Sequence, residues 1–133
     1  MTTTEFNKVM IIDDNQIDLY ITSILMKKNS FASEILQYSA ATDALKYLKT
    51  HANEPNAIPQ VILVDIYMPE MSGFEFMEAY DQLPDETKKY SKVYIVSSSI
   101  DNRDIGRASN DRNVVSFQEK PITPEFLEAI AKA

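Results

Sequence analysis

The sequence predicts a parallel α/β fold. Short continuous apolar runs recur along the chain, helical apolar periodicities separate them, and the two alternate five times. A strand wetted on one side alternates apolar with polar residues. Unbroken apolar runs therefore point to strands covered on both faces, joined by right-handed helical crossovers.

Val9-Met10-Ile11-Ile12 is the first such run, and after it Ile17, Ile21, Ile24 and Leu25 recur at i, i+4, i+7 and i+8, which predicts a helix with that face inward. Glu34-Ile35-Leu36-Gln37-Tyr38 predicts a further strand. Thr42-Asp43 has the chemistry to open a second helix, with Ala44, Leu45 and Leu48 inward. Val61 to Val64 is the next strand, and Phe74, Met77 and Tyr80 mark a helix after Gly73. Pro55 to Pro59 and Pro84 to Lys92 are predicted loops on either side of that unit. Val93 to Val96 predicts the fourth strand. The helix expected after it, about Asp101 to Ser109, is the poorest, with only Ile105 and Ala108 apolar and with Gly106, which costs a helix about 1 kcal/mol relative to Ala. A marginal, mobile element is expected there. Val114 to Phe117 is the weakest strand, and Thr123-Pro124 offers a cap and first turn for a last helix carrying Phe126, Leu127 and Ile130.

Composition narrows the function. The 133 residues suit one domain, 1–133, with a flexible polar start over about residues 1–6. Thirteen basic against twenty acidic residues leave a net charge of −7, which argues against a nucleic-acid or anionic-lipid binder with a broad basic surface. There is no cysteine, hence no disulfide framework or thiolate chemistry, and the lone histidine, His51, stands in a polar stretch. No apolar run approaches a membrane span or signal-peptide core, so a soluble, cytoplasmic chain is expected.

In parallel sheets ligands bind beyond the carboxyl ends of the strands. There the first strand ends in Asp13-Asp14, the third in Asp65 and the fourth in Ser97-Ser98-Ser99, while Lys120-Pro121 follows the fifth. Converging carboxylates repel one another unless a cation or a proton relieves them. Mg²⁺, a hard ion suited to a few carboxylates, waters and phosphate oxygens, fits such an edge. With the Lys120 ammonium and a strand-end hydroxyl, these are parts for phosphoryl transfer to a carboxylate. Taken singly, each has a plainer reading. Asp13-Asp14 can end a strand or cap a helix, the serines can fill a loop, Lys120 can be a solvated lysine, and Phe117 can be core packing.

Together the pieces are more specific. Val9 to Asp14, Val61-Ile62-Leu63-Val64-Asp65-Ile66-Tyr67-Met68-Pro69-Glu70-Met71-Ser72-Gly73, Val93 to Ser98, and Phe117-Gln118-Glu119-Lys120-Pro121 make the chain resemble a receiver domain of two-component response regulators, of the single-domain chemotaxis-regulator kind. The resemblance spans nearly the whole chain. It implies a flavodoxin-like, doubly wound (βα)5 fold with strand order 2-1-3-4-5. It further implies Asp65 as phosphoacceptor and Mg²⁺ held by Asp13, Asp14, Asp65 and the Tyr67 backbone carbonyl. Lys120 would contact the phosphate, Ser97 would be the switch hydroxyl with Ser98 as the alternative register, and Phe117 would be the aromatic that changes rotamer. Met68, Pro69, Gly73 and Pro121 would shape the loops, Pro69 through its fixed φ, Gly73 through its permissive one and Pro121 through a cis bond. Tyr67 would stand near the path of attacking water.

The implied activity is signalling, with no catalysis beyond the domain's own phosphorylation and dephosphorylation. The implied partners are a sensor histidine kinase or histidine phosphotransfer protein and a downstream target protein. The chain would be a monomer or weak homodimer, and its end at Ala133 leads to the expectation of no output domain. The surface expected to change comprises the fourth helix, fifth strand and fifth helix. The other readings are a receiver-like module acting without phosphorylation, a small flavin carrier and an Asp-nucleophile phosphohydrolase. The flavin carrier is disfavoured because Asp13-Asp14-Asn15 would repel a bare phosphate, and the phosphohydrolase because Tyr67 occupies the position of its required acid.

Overall fold

In the computed structural model, which describes residues 4–99 and 101–133, five parallel strands form one sheet in the order β2-β1-β3-β4-β5. They are β1 (Phe6–Ile12), β2 (Ala32–Tyr38), β3 (Val61–Asp65), β4 (Lys92–Ser97) and β5 (Val114–Glu119). Between and after them run α1 (Gln16–Lys28), α2 (Ala41–Thr50), α3 (Gly73–Asp81), α4 (Asn102–Asn110) and α5 (Pro124–Lys132). The two predicted loops each hold one short turn of helix, Pro55–Ala57 and Asp85–Lys88. The chain leaves β1 for β2 on one side and returns to β3 on the other. The carboxyl ends of β1 and β3 therefore flank the switch point where such sheets carry their ligands.

Alternation along the central strands explains their unbroken apolar runs. Met10, Ile12, Ile62, Val64, Val93 and Ile95 belong to the core under α2, α3 and α4. Val9, Ile11, Val61, Leu63, Tyr94 and Val96 belong to the core under α1 and α5. None of the twelve is more than 4% exposed. The strands at the two edges differ. β5 leaves Val115 and Ser116 exposed, so the expectation of cover on both faces fails there, because an edge strand lacks a neighbour to carry a helix over it. Of the expected flexible start over residues 1–6, residues 1–3 lie outside the described residues, and Phe6 already pairs with Ala32.

α1 corrects the sequence reading. Ile17 and Ile21, expected inward, are 69% and 53% exposed, and Leu19, Thr22, Ser23 and Met26 face the core instead. The start of the helix sets its phase. The Asn15 side chain accepts from the Ile17 and Asp18 amides at 3.0 and 3.1 Å, and Leu19 and Met26, seven apart, then fall on the sheet. Ser23 is tolerated inside because its hydroxyl donates to the Tyr20 carbonyl at 2.8 Å. α2 begins at Ala41 with Ala40 as its cap and no side-chain cap bond, so Thr42-Asp43 lie within its first turn, while Ala44, Leu45 and Leu48 are buried as expected.

Candidate functional site

Asp65 closes β3 and is 7% exposed; its Oδ1 accepts the Ile66 amide at 2.9 Å. Burial pushes its pKa up to about 6, with a further push from Asp13 and opposing pulls from Lys120, the Ser97 hydroxyl and the Ile66 amide. Asp13, 5% exposed, follows directly on β1, and its Oδ1 accepts the Asn15 amide at 3.0 Å. Asp14 beside it is exposed. Carboxylate oxygens of Asp13, Asp14 and Asp65 all lie within 4.8 Å of one another. Such a set of hard oxygen donors, open to water at Asp14, fits a small octahedral cation that keeps part of its hydration.

Lys120 arrives from the end of β5. Its amide donates to the Ser97 carbonyl at 2.9 Å, and its peptide bond to Pro121 is cis. The ammonium stands 2.5 Å from Asp13 Oδ2, 2.9 Å from Asp18 Oδ2 and 3.6 Å from Asp65 Oδ2. Burial disfavours its charge, but the carboxylates of Asp13, Asp18 and Asp65 outweigh that and hold the pKa above the ordinary lysine value.

Asp18 is a member of this network that the sequence reading did not single out. Its signal was present but ambiguous, because an acid three residues after a strand-end Asn is by default half of a capping box. Here the Asn15 amide is already bonded to Asp13, which leaves the Asp18 carboxylate for Lys120.

Burial separates the two serines. Ser97 is 1% exposed and bears on Asp65, its hydroxyl donating to the Ser99 carbonyl at 3.4 Å, whereas Ser98 is exposed. Ser98 lines a shallow cavity of about 280 Å³ together with Asp18, Ile21, Lys120 and Ile122. Phe117 is half-buried and packs on the core under α3 and α4, and Met68 is half-buried against the same cluster. Tyr67, 54% exposed, sends its hydroxyl to Asp104 Oδ2 of α4 at 2.6 Å, a contact with no local sequence signal because the two are 37 positions apart.

Gly73 is needed for a reason other than the expected one. Its φ is not positive; the left-handed residue of this loop is Glu70, at φ 66°. The Gly73 amide donates to the Ile66 carbonyl at 2.7 Å, and a Cβ there would stand 2.9 Å from Ile66 Cα and press on the Asp65 carbonyl. Bareness at Gly73 lets α3 start directly against the residue that carries the central carboxylate.

Residues 9–132 match the family model of the response regulator receiver domain. The chain belongs to that family. A solved two-component response regulator from Cytophaga hutchinsonii superposes on this receiver with a TM-score of 0.88 at 26% identity, covering 95% of this chain and 94% of that one. The two-component response regulator ORR1 of Oryza sativa subsp. indica is 24% identical over 127 residues, 94% of this chain and 54% of that protein. The hybrid signal transduction histidine kinase C of Dictyostelium discoideum is 27% identical over 128 residues, 94% of this chain and 10% of that protein. The receiver thus spans about half of one curated relative and a tenth of the other. The flavodoxin-like fold with order 2-1-3-4-5, expected from the resemblance, is the one observed.

Proposed function

We propose that this receiver accepts a phosphoryl group on Asp65 from a phosphohistidine of a sensor histidine kinase or histidine phosphotransfer protein, and thereby switches a protein-interaction surface made by α4, β5 and α5. The observation that carries the reading is Asp65 itself, a buried carboxylate with Lys120 3.6 Å away, Ser97 buried beside it, and Asp13 and Asp14 converging on it. Asp13, Asp14 and Asp65, with the Tyr67 carbonyl, are the residues that would hold Mg²⁺, which when bound supplies positive charge against the carboxylates and the incoming phosphate.

Asp65 attacks as its carboxylate. A bond forms from one of its oxygens to phosphorus as the phosphorus–nitrogen bond of the donor breaks and its electron pair returns to the imidazole. Lys120 is placed to meet a phosphoryl oxygen by giving up one of its carboxylate partners. The Ser97 hydroxyl, held at 3.4 Å by the Ser99 carbonyl, can turn to the new oxygens. Space vacated by Ser97 would admit the half-buried Phe117, and the surface around α4 and β5 would shift with it. The exposed Ile17, Tyr20 and Ile21 on α1, of which Ile21 lines the cavity beside Asp18 and Lys120, offer the phosphodonor an apolar landing. No described helix is long and apolar enough to cross a membrane, and a cytoplasmic setting, where such donors present their phosphohistidines, is part of this reading.

Intact-mass spectrometry after incubation with acetyl phosphate tests it. A phosphoryl adduct that requires Mg²⁺ and vanishes in Asp65→Asn is the expected result. Absence of an adduct together with absence of Mg²⁺ binding would favour a module that binds its partner without phosphorylation.

A further inference from the structure

Tyr67 and Asp104 join two parts of the receiver that the chain connects only at long range. Tyr67 lies two residues after Asp65, and Asp104 lies in the first turn of α4, where it is 9% exposed. The Asp104 Oδ2 atom accepts from the Tyr67 hydroxyl at 2.6 Å and also from the amide of Asp101, the N-cap of α4, at 3.2 Å. One oxygen thus binds the phosphoacceptor loop and the start of α4 together. The carboxylate holds the Tyr67 phenol above its usual pKa, as a phenol donating to an anion should be held.

Among the described residues few other contacts fasten α4 itself, although just past its end Arg112 and Asn113 donate to Asp81 at 3.0 and 2.8 Å. Its buried residues are Asp104 and Ala108, and Gly106 has open space around it. Arg107 stacks over the Phe74 ring at 4.4 Å and lies 3.4 Å from Glu78. A charge-assisted hydrogen bond is therefore a large part of what sets the position of the start of α4.

Ser97, the residue that would respond to phosphorylation, ends β4, and Asp101, the N-cap of α4, stands four positions later in the sequence. Drawing Ser97 toward a phosphoryl group on Asp65 pulls the N-cap of α4 with it, while Tyr67 stays anchored to the loop on the other side of Asp104. We propose that the Tyr67–Asp104 hydrogen bond is a tether that exists in the resting state, holds α4 there and opposes the switch. The proposal rests on Asp65 being the phosphoacceptor. Since the tether stabilises only the resting form, removing it enlarges the binding-competent fraction and raises apparent affinity for anything that favours the switched form.

The test titrates the full chain with beryllofluoride, a phosphoryl mimic, in the presence of Mg²⁺, for the parent, Tyr67→Phe and Asp65→Asn. Tyr67→Phe keeps the ring and removes only the donor. It should bind beryllofluoride about three- to tenfold more tightly than the parent, as expected for loss of one such bond from one state. Amide exchange in unliganded Tyr67→Phe should rise over α4 and stay unchanged over α3. Equal or weaker beryllofluoride affinity in Tyr67→Phe, with normal binding by the parent and none by Asp65→Asn, overturns the tether and leaves the phosphoacceptor reading standing. A parent that binds no beryllofluoride overturns that reading, and the tether with it.

Discussion

α3 and α4 are matched in length and capping and opposite in what they bury. Each has nine residues, each follows a strand that ends at the site, and each opens with a complete capping box, Ser72 with Glu75 and Asp101 with Asp104. α3 sinks Phe74, Phe76, Met77 and Tyr80 into the core, and the Tyr80 hydroxyl is satisfied there by Ser91. α4 sinks Ala108 and a carboxylate. Capping determines where a helix starts, and side-chain burial determines how firmly it stays. The receiver thus places a helix with four large buried side chains against the strand that bears Asp65 and one with few buried side chains after the strand that bears Ser97.

Truncating each helix is the strongest way to break this contrast. Phe76→Ala should lower the unfolding free energy by about 3–5 kcal/mol. Ile105→Ala, on the half-buried side of α4, should cost less than about 1 kcal/mol. Denaturant titrations of both variants give the comparison, and equal losses would mean that α4 is as tightly packed as α3.

Asp65 sharpens it from the site's side, because the strand beneath α3 carries a destabilised charge. Folding raises the Asp65 pKa from 3.8 to about 6, so the folded state binds that proton more tightly than the unfolded one. The resulting stabilisation is full below about pH 4 and is lost as pH rises through about 6. At about pH 7.5 Asp65→Asn should therefore be more stable than the parent by about 1–3 kcal/mol, and the gain should shrink toward pH 4. Mg²⁺ should raise the melting temperature of the parent and leave that of Asp65→Asn nearly unmoved. Thermal melts across pH with and without Mg²⁺ read both.

The two glycines supply the smallest and most direct contrast. Gly73→Ala drives a methyl into the Asp65 and Ile66 backbone and should destabilise by about 1–3 kcal/mol. Gly106→Ala meets nothing within 4 Å and should stabilise by about 0.5–1 kcal/mol through a less flexible unfolded chain and a better helix. Slower amide exchange confined to α4 should accompany that gain.

Much of this was legible in the residues. The apolar runs located the central strands, the spacing of Phe74, Met77 and Tyr80 located the helix after β3, and the cap chemistry of Thr123-Pro124 located the one after β5. The sparse burial of α4 followed from its sparse apolar content. The phase of α1 was misread at Ile17 and Ile21, which are exposed, while Leu25 of the same expected face does pack on the core, because hydrophobicity alone cannot distinguish a stripe turned to the core from one left on the surface. Asp18 was hidden by its resemblance to a cap residue, and Asp104 by distance along the chain.

The sequence by itself determined the alternation of strand and helix, and with it the gathering of Asp13, Asp14, Asp65, Ser97 and Lys120 at one edge of the sheet, since parallel strands bring all their carboxyl ends to the same side. Tertiary structure alone decided which hydroxyl is buried beside Asp65, which carboxylates share the Lys120 ammonium, why Gly73 must lack a side chain, and that Tyr67 ties the loop to α4. The physical reason is range. Periodicity and capping act over one or two turns of chain, whereas an ion pair or a hydrogen bond between residues 37 or more positions apart exists only once packing has brought their atoms to about 3 Å.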